Sequence, residues 1–399
     1  MKVVMVHNTY QQPGGEDVVF DQERQMLERA GHQVIPFCRS NWDADAYQGA
    51  RRIVLAKHAI WNEKSHQTLL TLLRQQKPDI VHVHNTFVMI SPSIYSACTE
   101  AGVPVVQTLH NYRLVCPAAT FFRDGKVCEE CLPGSLWPSV KYSCYHNSRA
   151  ATSVVAAILG FHRTIGTWRH HVSRFIALSE FSRGKLIEGG LPAEKISVKP
   201  NFVHPDPGAL SNDNREYAIF VGRLSPEKRV STVLEAWKRS ASPIPLQVIG
   251  GGPDQDLLEK EAADLGLRHI VFRGQMPRAA TVEAIARARF LIFSSEWYEN
   301  FPVTIAEAFA CRTPVIASNI GAMKEIIGHG TTGLHFSVGD PDDLAQKVTW
   351  AWSHPDEMRA MGIEARRQFE EKYTADKNYP MLMQIYELAC QKTHTPSVG

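Results

Sequence analysis

The chain has no apolar run long enough to cross a bilayer, and no heptad, short repeat or low-complexity tract. A helical membrane protein, a coiled coil and a repeat solenoid are thereby excluded. Charge of one sign is also missing: 43 Lys+Arg against 41 Asp+Glu leave a net charge of +2. No dense basic and aromatic cluster appears, which disfavours nucleic acid as a partner. The loop after the first strand carries Gly14-Gly15 rather than G-x-G-x-x-G, which disfavours a nicotinamide dehydrogenase.

With 399 residues, 44% hydrophobic and 21% charged, the chain has the composition of a globular protein and is too long for one ordinary core. The start, MKVVMVHNTY, runs straight into a strand rather than into a basic segment and an apolar signal core, so the expected location is cytoplasmic. Charge is unevenly spread: residues 1–205 hold 22 Lys+Arg against 16 Asp+Glu, and the remainder 21 against 25. A basic first half favours an anionic partner, such as the inner face of a membrane or a lipid-linked phosphate.

Strand and helix patterns alternate through both halves. KVVMVH, QVIPF, DIVHVHN, VPVVQTLH, RFIALS and KISVKPN form a first strand series, with helical patterns such as EDVVFDQERQMLERAG between them. YAIFV, LQVIG, HIVFRG, FLIFSS and PVIAS form a second. Such alternation predicts an α/β protein of two Rossmann-like domains with parallel sheets, ligands lying at the carboxyl ends of the strands. The expected domains are 1–203, with a Cys-rich insertion at 116–144, then 204–375. Residues 376–399 form a helix and tail packing back toward the first domain. Residues 202–215, FVHPDPGALSNDNR, read as the connection.

Residues 294–311, SSEWYENFPVTIAEAFAC, set Glu299 and Glu307 eight positions apart across a strand end, a loop and a helix. Pro302 suits the first helical turn, where a missing N–H costs nothing. Glu299 then sits just before the helix and Glu307 in its second turn. The helix start favours a phosphate, and each carboxylate can accept hydrogen bonds from paired hydroxyls of a sugar or ribose. Taken alone, the pair reads equally as two surface glutamates.

The surrounding segments YAIFVGRLSPEKRVSTVLEAW, RTPVIASNIGAMKEII and TTGLHF follow in order. Together they closely resemble the nucleotide-binding half of the retaining glycosyltransferases called family 4, which have the GT-B architecture of two domains facing a cleft. The resemblance implies that Arg223 and Lys228 neutralise the donor diphosphate, that Glu299 touches the transferred sugar and that Glu307 holds the ribose. The family's Gly-Phe-Gly after the first Glu is here Asn300-Phe301-Pro302, so these residues and Val303 are the expected backbone contacts to the donor. Gly274, in VFRGQMP, matches a turn that contacts the base, and Gly15 lies in the loop placed against the donor phosphate and acceptor. Gly250, Gly251 and Gly252 add a close-approach turn. No Asp-x-Asp stands where a metal-dependent transferase needs one, so no catalytic metal is expected. The implied reaction is retaining transfer from a nucleotide sugar to a saccharide, lipid-linked, in bacterial surface polysaccharide synthesis. A nucleotide-sugar epimerase, a phosphorylase and a degenerate binding protein are the alternatives.

His110 ends VPVVQTLH, an address that points to a ligand crevice rather than the core. The family places a functional His there, so Glu299 and His110 are the catalytic candidates. His82 and His84 share one face of their strand and either pack or orient the loop. Cys116, Cys128, Cys131 and Cys144 are spaced C-x11-C-x2-C-x12-C, with Gly125, Pro133 and Gly134 at turns. Structural zinc is the expected ligand, since four thiolates leave no open position. Unrelated loop thiols and an iron–sulfur cluster are the alternatives. Residues 148–171 read either as a core helix or as a membrane-interface segment with Trp168 at headgroup depth.

Overall fold

The structure, a computed structural model, describes residues 1–11, 14–132, 134–208, 215–240 and 242–391. Its strands are β1 (Lys2–Thr9), β2 (Gln33–Ser40), β3 (Ile80–Val83), β4 (Val105–Thr108), β5 (Phe122–Arg123), β6 (Lys126–Val127), β7 (Arg174–Ala177) and β8 (Ile196–Val198). They continue with β9 (Tyr217–Val221), β10 (Leu246–Ile249), β11 (Ile270–Gly274), β12 (Ala288–Phe293), β13 (Val315–Ser318) and β14 (Gly333–Phe336). Two parallel six-stranded sheets result, in the orders β2-β1-β3-β4-β7-β8 and β11-β10-β9-β12-β13-β14, with β5 and β6 as a separate antiparallel hairpin. Val3, Val4, Met5 and Val6 are all fully buried, as expected for a parallel strand covered by helices on both faces. Strand order reverses beside β1 in one sheet and beside β9 in the other, which puts each sheet's ligand crevice outside the carboxyl ends of β1 and β3, and of β9 and β12.

The chain divides into two compact units, Met1–Thr120 with Glu129–Asn201 and the segment from Asn378 onward, and Phe121–Cys128 with Phe202–Lys377. The Cys-rich insertion, expected wholly in the first domain, is therefore split. Arg229 Nη2 donates to the Gly125 carbonyl at 3.0 Å, and the Phe121 ring lies 6.1 Å from that of Tyr298. These contacts hold the β5–β6 hairpin to the second unit. Residues 209–214 of the expected 202–215 connection lie outside the described residues, as do Pro133 and Lys392. Val203 is fixed by its N–H to the Tyr373 carbonyl at 3.0 Å.

In the second unit the helix Val230–Arg239 buries Val230, Val233, Leu234 and Trp237. This is the i, i+3, i+4, i+7 stripe of a helix lying on a sheet. They pack with Phe220, Val248 and Ile292 from the strands, and Trp237 satisfies its indole N–H on the Ile244 carbonyl at 2.8 Å.

The first unit is closed by the last helix, Ala375–Gln391, which buries Asn378, Leu382, Ile385, Tyr386 and Ala389. Its polar contacts are specific. Asn378 donates to the Pro200 carbonyl at 2.7 Å and accepts from Lys199 Nζ at 2.9 Å. Lys199 is only 1% exposed and also bonds Glu23, which is 0% exposed. Removing one member of a buried, hydrogen-bonded ion pair leaves the other charge uncompensated, at a cost of about 3–5 kcal/mol. Lys199→Ala is therefore expected to lower stability by about that amount in urea denaturation; a loss below about 1 kcal/mol would show that water already reaches the pair.

Candidate functional site

At the end of β9 the chain turns at Gly222 and Arg223, and the glycine run after β10 lies against it. A Cβ on Gly250, whose φ is +139°, would fall 1.9 Å from the Gly222 carbonyl oxygen, and one on Gly252 would fall 2.2 Å from that of Leu224. These glycines thus serve contact between two backbones. Pro226–Lys228 form one 3-10 turn, and Arg229 leaves it with φ 48°. This loop is laced to the segment after β12: Ser294 Oγ donates to the Lys228 carbonyl at 2.7 Å, Glu296 N–H to the Glu227 carbonyl at 3.0 Å, and Arg229 pairs with Glu296 at 2.8 Å.

Lys228 and Glu299 are thereby brought into direct contact. The same Glu299 oxygen accepts from Ser295 Oγ at 2.8 Å and from the Trp297 indole at 2.6 Å. Phe293 and Trp297 rings lie 5.2 and 5.6 Å from the ammonium. Charge-assisted bonds of this kind, on a carboxylate 8% exposed, fix both groups in place. Arg223 is exposed and forms no ion pair among the described residues.

The helix beyond is Val303–Ala310, and Pro302 precedes it as the N-cap with ψ 110° instead of standing in the first turn. Extended ψ at Pro302 turns its carbonyl onto Ile305 N–H at 3.1 Å. The helix's unpartnered donors accordingly begin at Val303. Asn300 and Phe301 are buried, and the Phe301 ring packs 5.2 Å from Tyr373, so Phe301 supports the loop through packing. Glu307 is buried in the second turn and pairs with Arg278 Nε at 2.8 Å. Burial raises the Glu307 carboxyl above its usual range, and the nearby Arg278 charge opposes that rise. Arg278 escaped the sequence reading. A cation in the first turn of the helix Arg278–Ala286 runs against the helix dipole, and that was the available signal. Gly274, at the end of β11, has φ +65°, a conformation that favours glycine.

In the first unit, Gly14 caps the helix Gly15–Arg29. Asp17 accepts from Gly14 N–H and from His7 Nε2, each at 2.8 Å, and these bonds hold its carboxyl below the usual range. Glu16 lies within 3.2 Å of the Tyr10 hydroxyl and 3.4 Å of Asn111 Nδ2, and burial pushes its carboxyl up to about 8. His110 follows β4 and is half-buried. Its Nε2 edge is turned inward, 2.9 Å from His84 Nδ1, with the two rings stacked. His84 and His82 are buried. His82 bonds Tyr386 and Thr108, each at 2.8 Å, and His84 Nε2 lies 3.2 Å from Glu23. Burial is the main cause that lowers the three rings: His82 to about 4, His84 to about 3 and His110 well below the usual range.

Among the described residues, Glu23, His82 and His84 are the His/Cys/Asp/Glu group whose ligand atoms converge within 4.8 Å. Lys199 already supplies the cation there. Cys116 and Cys131 are buried, Cys128 and Cys144 half-buried; Cys128 belongs to the second unit and the other three to the first. The helix Arg149–Thr164 buries Val155, Ile158, Leu159 and His162. Trp168 is 6% exposed, and Arg163 is spent on the Gly134 and Leu114 carbonyls at 3.0 Å each. These two side chains therefore pack in the unit, as the core-helix alternative for this segment expects, and Trp168 is not at headgroup depth. Among the described residues no helix is long and apolar enough to cross a membrane.

Residues 13–207 match Glycosyltransferase Family 4, and residues 206–368 match Glycosyl transferases group 1. The chain belongs to this family, and its two parallel sheets with flanking helices are the GT-B fold. Similar proteins include the D-rhamnosyltransferase WbpZ of Pseudomonas aeruginosa, 30% identical over 40% of this chain and 42% of that one. The phosphatidyl-myo-inositol mannosyltransferase of Mycobacterium leprae is 26% identical over 61% of this chain and 66% of that one. The chain thus spans less than half of WbpZ. Among solved structures, Anabaena Alr3699/HepE in complex with UDP superimposes with a TM-score of 0.68 at 17% identity, covering 97% of this chain and 99% of that one.

Histidines held neutral in the folded state give a signed pH dependence. Below about 6.5 the unfolded chain takes up protons that His82, His84 and His110 refuse in the fold, so stability falls as pH falls through that value. Glu16, raised to about 8, and Glu307, also raised, pull the other way across this window, two carboxyls against three rings. We expect the urea midpoint to drop between about pH 7 and about pH 5, and to drop less steeply in His84→Phe; a flat midpoint in the parent chain would contradict the neutral assignment.

Proposed function

We propose that the chain is a retaining glycosyltransferase that moves a sugar from a nucleotide-sugar donor to a saccharide acceptor, lipid-linked, in bacterial surface polysaccharide synthesis. The contact of Lys228 with Glu299, beside the start of the helix Val303–Ala310, carries this reading. Departure of a nucleoside diphosphate requires stabilisation of the charge that builds on its phosphate oxygens. Lys228, exposed Arg223 and the N–H groups from Val303 onward offer cations and oriented donors for that charge. Glu299 is an anchored acceptor for hydroxyls of the transferred sugar, and Glu307 for those of the ribose, sharing Arg278. Asn300, Phe301 and Pro302 shape the loop between them, and Gly274 supplies the turn for the base. Gly15 and His110 take the donor-phosphate and sugar roles that the family resemblance implies. No catalytic metal is assigned.

Names of similar proteins support the chemistry. A mannosyltransferase of O-antigen chains in Escherichia coli is 27% identical over 43% of this chain and 46% of that one, and the Anabaena protein was solved with UDP-glucose. Cytoplasmic residence, with peripheral contact to anionic membrane through the basic first half, belongs to the same proposal. So does structural zinc at Cys116, Cys128, Cys131 and Cys144, which rests on their spacing.

Glu299→Ala is expected to abolish transfer from the accepted sugar nucleotide while the circular dichroism spectrum stays that of the parent; unchanged turnover would remove Glu299 from the reaction. In a panel of sugar nucleotides, transfer or hydrolysis supports the proposal, whereas interconversion of the sugar would indicate an epimerase. Zinc content is checked separately: anaerobically purified protein should bind about one zinc per chain, and Cys128→Ser should lose it together with stability. Metal-free, equally stable protein would end the zinc assignment.

A further inference from the structure

His110 is joined to a chain of buried groups that neither the family resemblance nor the donor-binding segment accounts for. Glu23, in the helix Gly15–Arg29, is fully buried and holds Lys199, whose remaining contact is Asn378. One Glu23 oxygen lies 3.2 Å from His84 Nε2. The approach is bent, short of good hydrogen-bond geometry, but its sense is clear. A carboxylate only accepts, so it repels a ring lone pair and attracts an N–H. His84 must therefore carry its proton on Nε2 and leave Nδ1 bare. That bare Nδ1 is the atom 2.9 Å from His110 Nε2, so His110 must donate there, and its own lone pair is left on Nδ1. The reverse arrangement would set a bare His84 Nε2 against an ionised carboxylate 3.2 Å away, too close for a water molecule to stand between them.

We propose that Glu23, acting through His84, is a positioning residue that holds His110 as a neutral ring protonated at Nε2. What His110 then offers at the end of β4 is a hydrogen-bond acceptor for a hydroxyl, and no positive charge. This deepens the glycosyltransferase reading and rests on it: of the two roles open to His110, stabilising developing charge or contacting a sugar hydroxyl, the geometry selects the second. The groups facing the two rings are Glu23, His7, His82 and Lys199. The carboxylate–ammonium pair is already balanced, so none of them needs His110 to be charged.

The decisive experiment is nitrogen NMR of the full chain labelled with ¹⁵N-histidine, with the His110 signals identified by their loss in His110→Asn. At neutral pH His110 should show a protonated Nε2 and a bare Nδ1; a proton on Nδ1, or a cationic ring, overturns the proposal without reference to any variant's folding. In activity, His84→Phe keeps the ring volume and the Glu23–Lys199 pair but cuts the link, and should lower kcat on the order of tenfold to a hundredfold with KM for the donor little changed. Glu23→Gln combined with Lys199→Met, which removes both charges together, should mix the His110 tautomers. Parent kcat in His84→Phe, or an unchanged tautomer in the folded double variant, would also overturn it. If the chain transfers no sugar but the wild-type tautomer is as stated, the functional reading fails and the positioning assignment stands.

Discussion

Two charges taken wholly out of water, Glu23 and Lys199, organise the first unit. Neither survives there without the other, because an isolated buried charge is far costlier than a paired one. Their contact joins a helix near the start of the chain, the residue following β8 and, through Asn378, the last helix. Placing that helix also brings Tyr386 onto His82. One electrostatic requirement therefore fixes where the end of the chain packs and how the polar groups beneath β3 and β4 are satisfied.

The second unit applies the same logic nearer the surface. Lys228 with Glu299, Arg229 with Glu296 and Arg278 with Glu307 each join a loop or helix start to the segment around β12 and the helix Val303–Ala310. Partial burial makes these pairs stronger than exposed ones and still leaves them reachable by solvent and ligand. A set of cations and acceptors held before any substrate arrives suits stabilisation of charge that develops during a reaction, since little reorganisation is left to be done. The glycines at 250 and 252 belong to this arrangement indirectly, by letting one loop lie directly on another.

The boundary between what was readable and what was not follows sequence separation. Alternating strand and helix patterns marked all six strands of the first sheet and five of the second, β14 aside, because side-chain periodicity is a local property of the backbone. The address of His110 after β4 and of Glu299 before a helix was readable for the same reason. Pro302 was misplaced by one position, since its preference for the first turn and its use as an N-cap look alike until ψ is known. Arg278 lies 29 residues from Glu307, and only its poor fit to a helix start hinted at a partner.

Sequence alone thus settled the fold class, the order of all but β5, β6 and β14 among the strands, and the family to which the chain belongs, all of which rest on patterns within a few residues of one another. Tertiary structure decided the rest. It joined Glu23 to Lys199 across 176 positions, moved the β5–β6 hairpin to the second unit, buried Trp168 and turned His110 toward His84. Those outcomes depend on which side chains meet after the sheets close, and burial gives such meetings their energy. A charge or a ring in a linear sequence carries no mark of whether water will be removed from it.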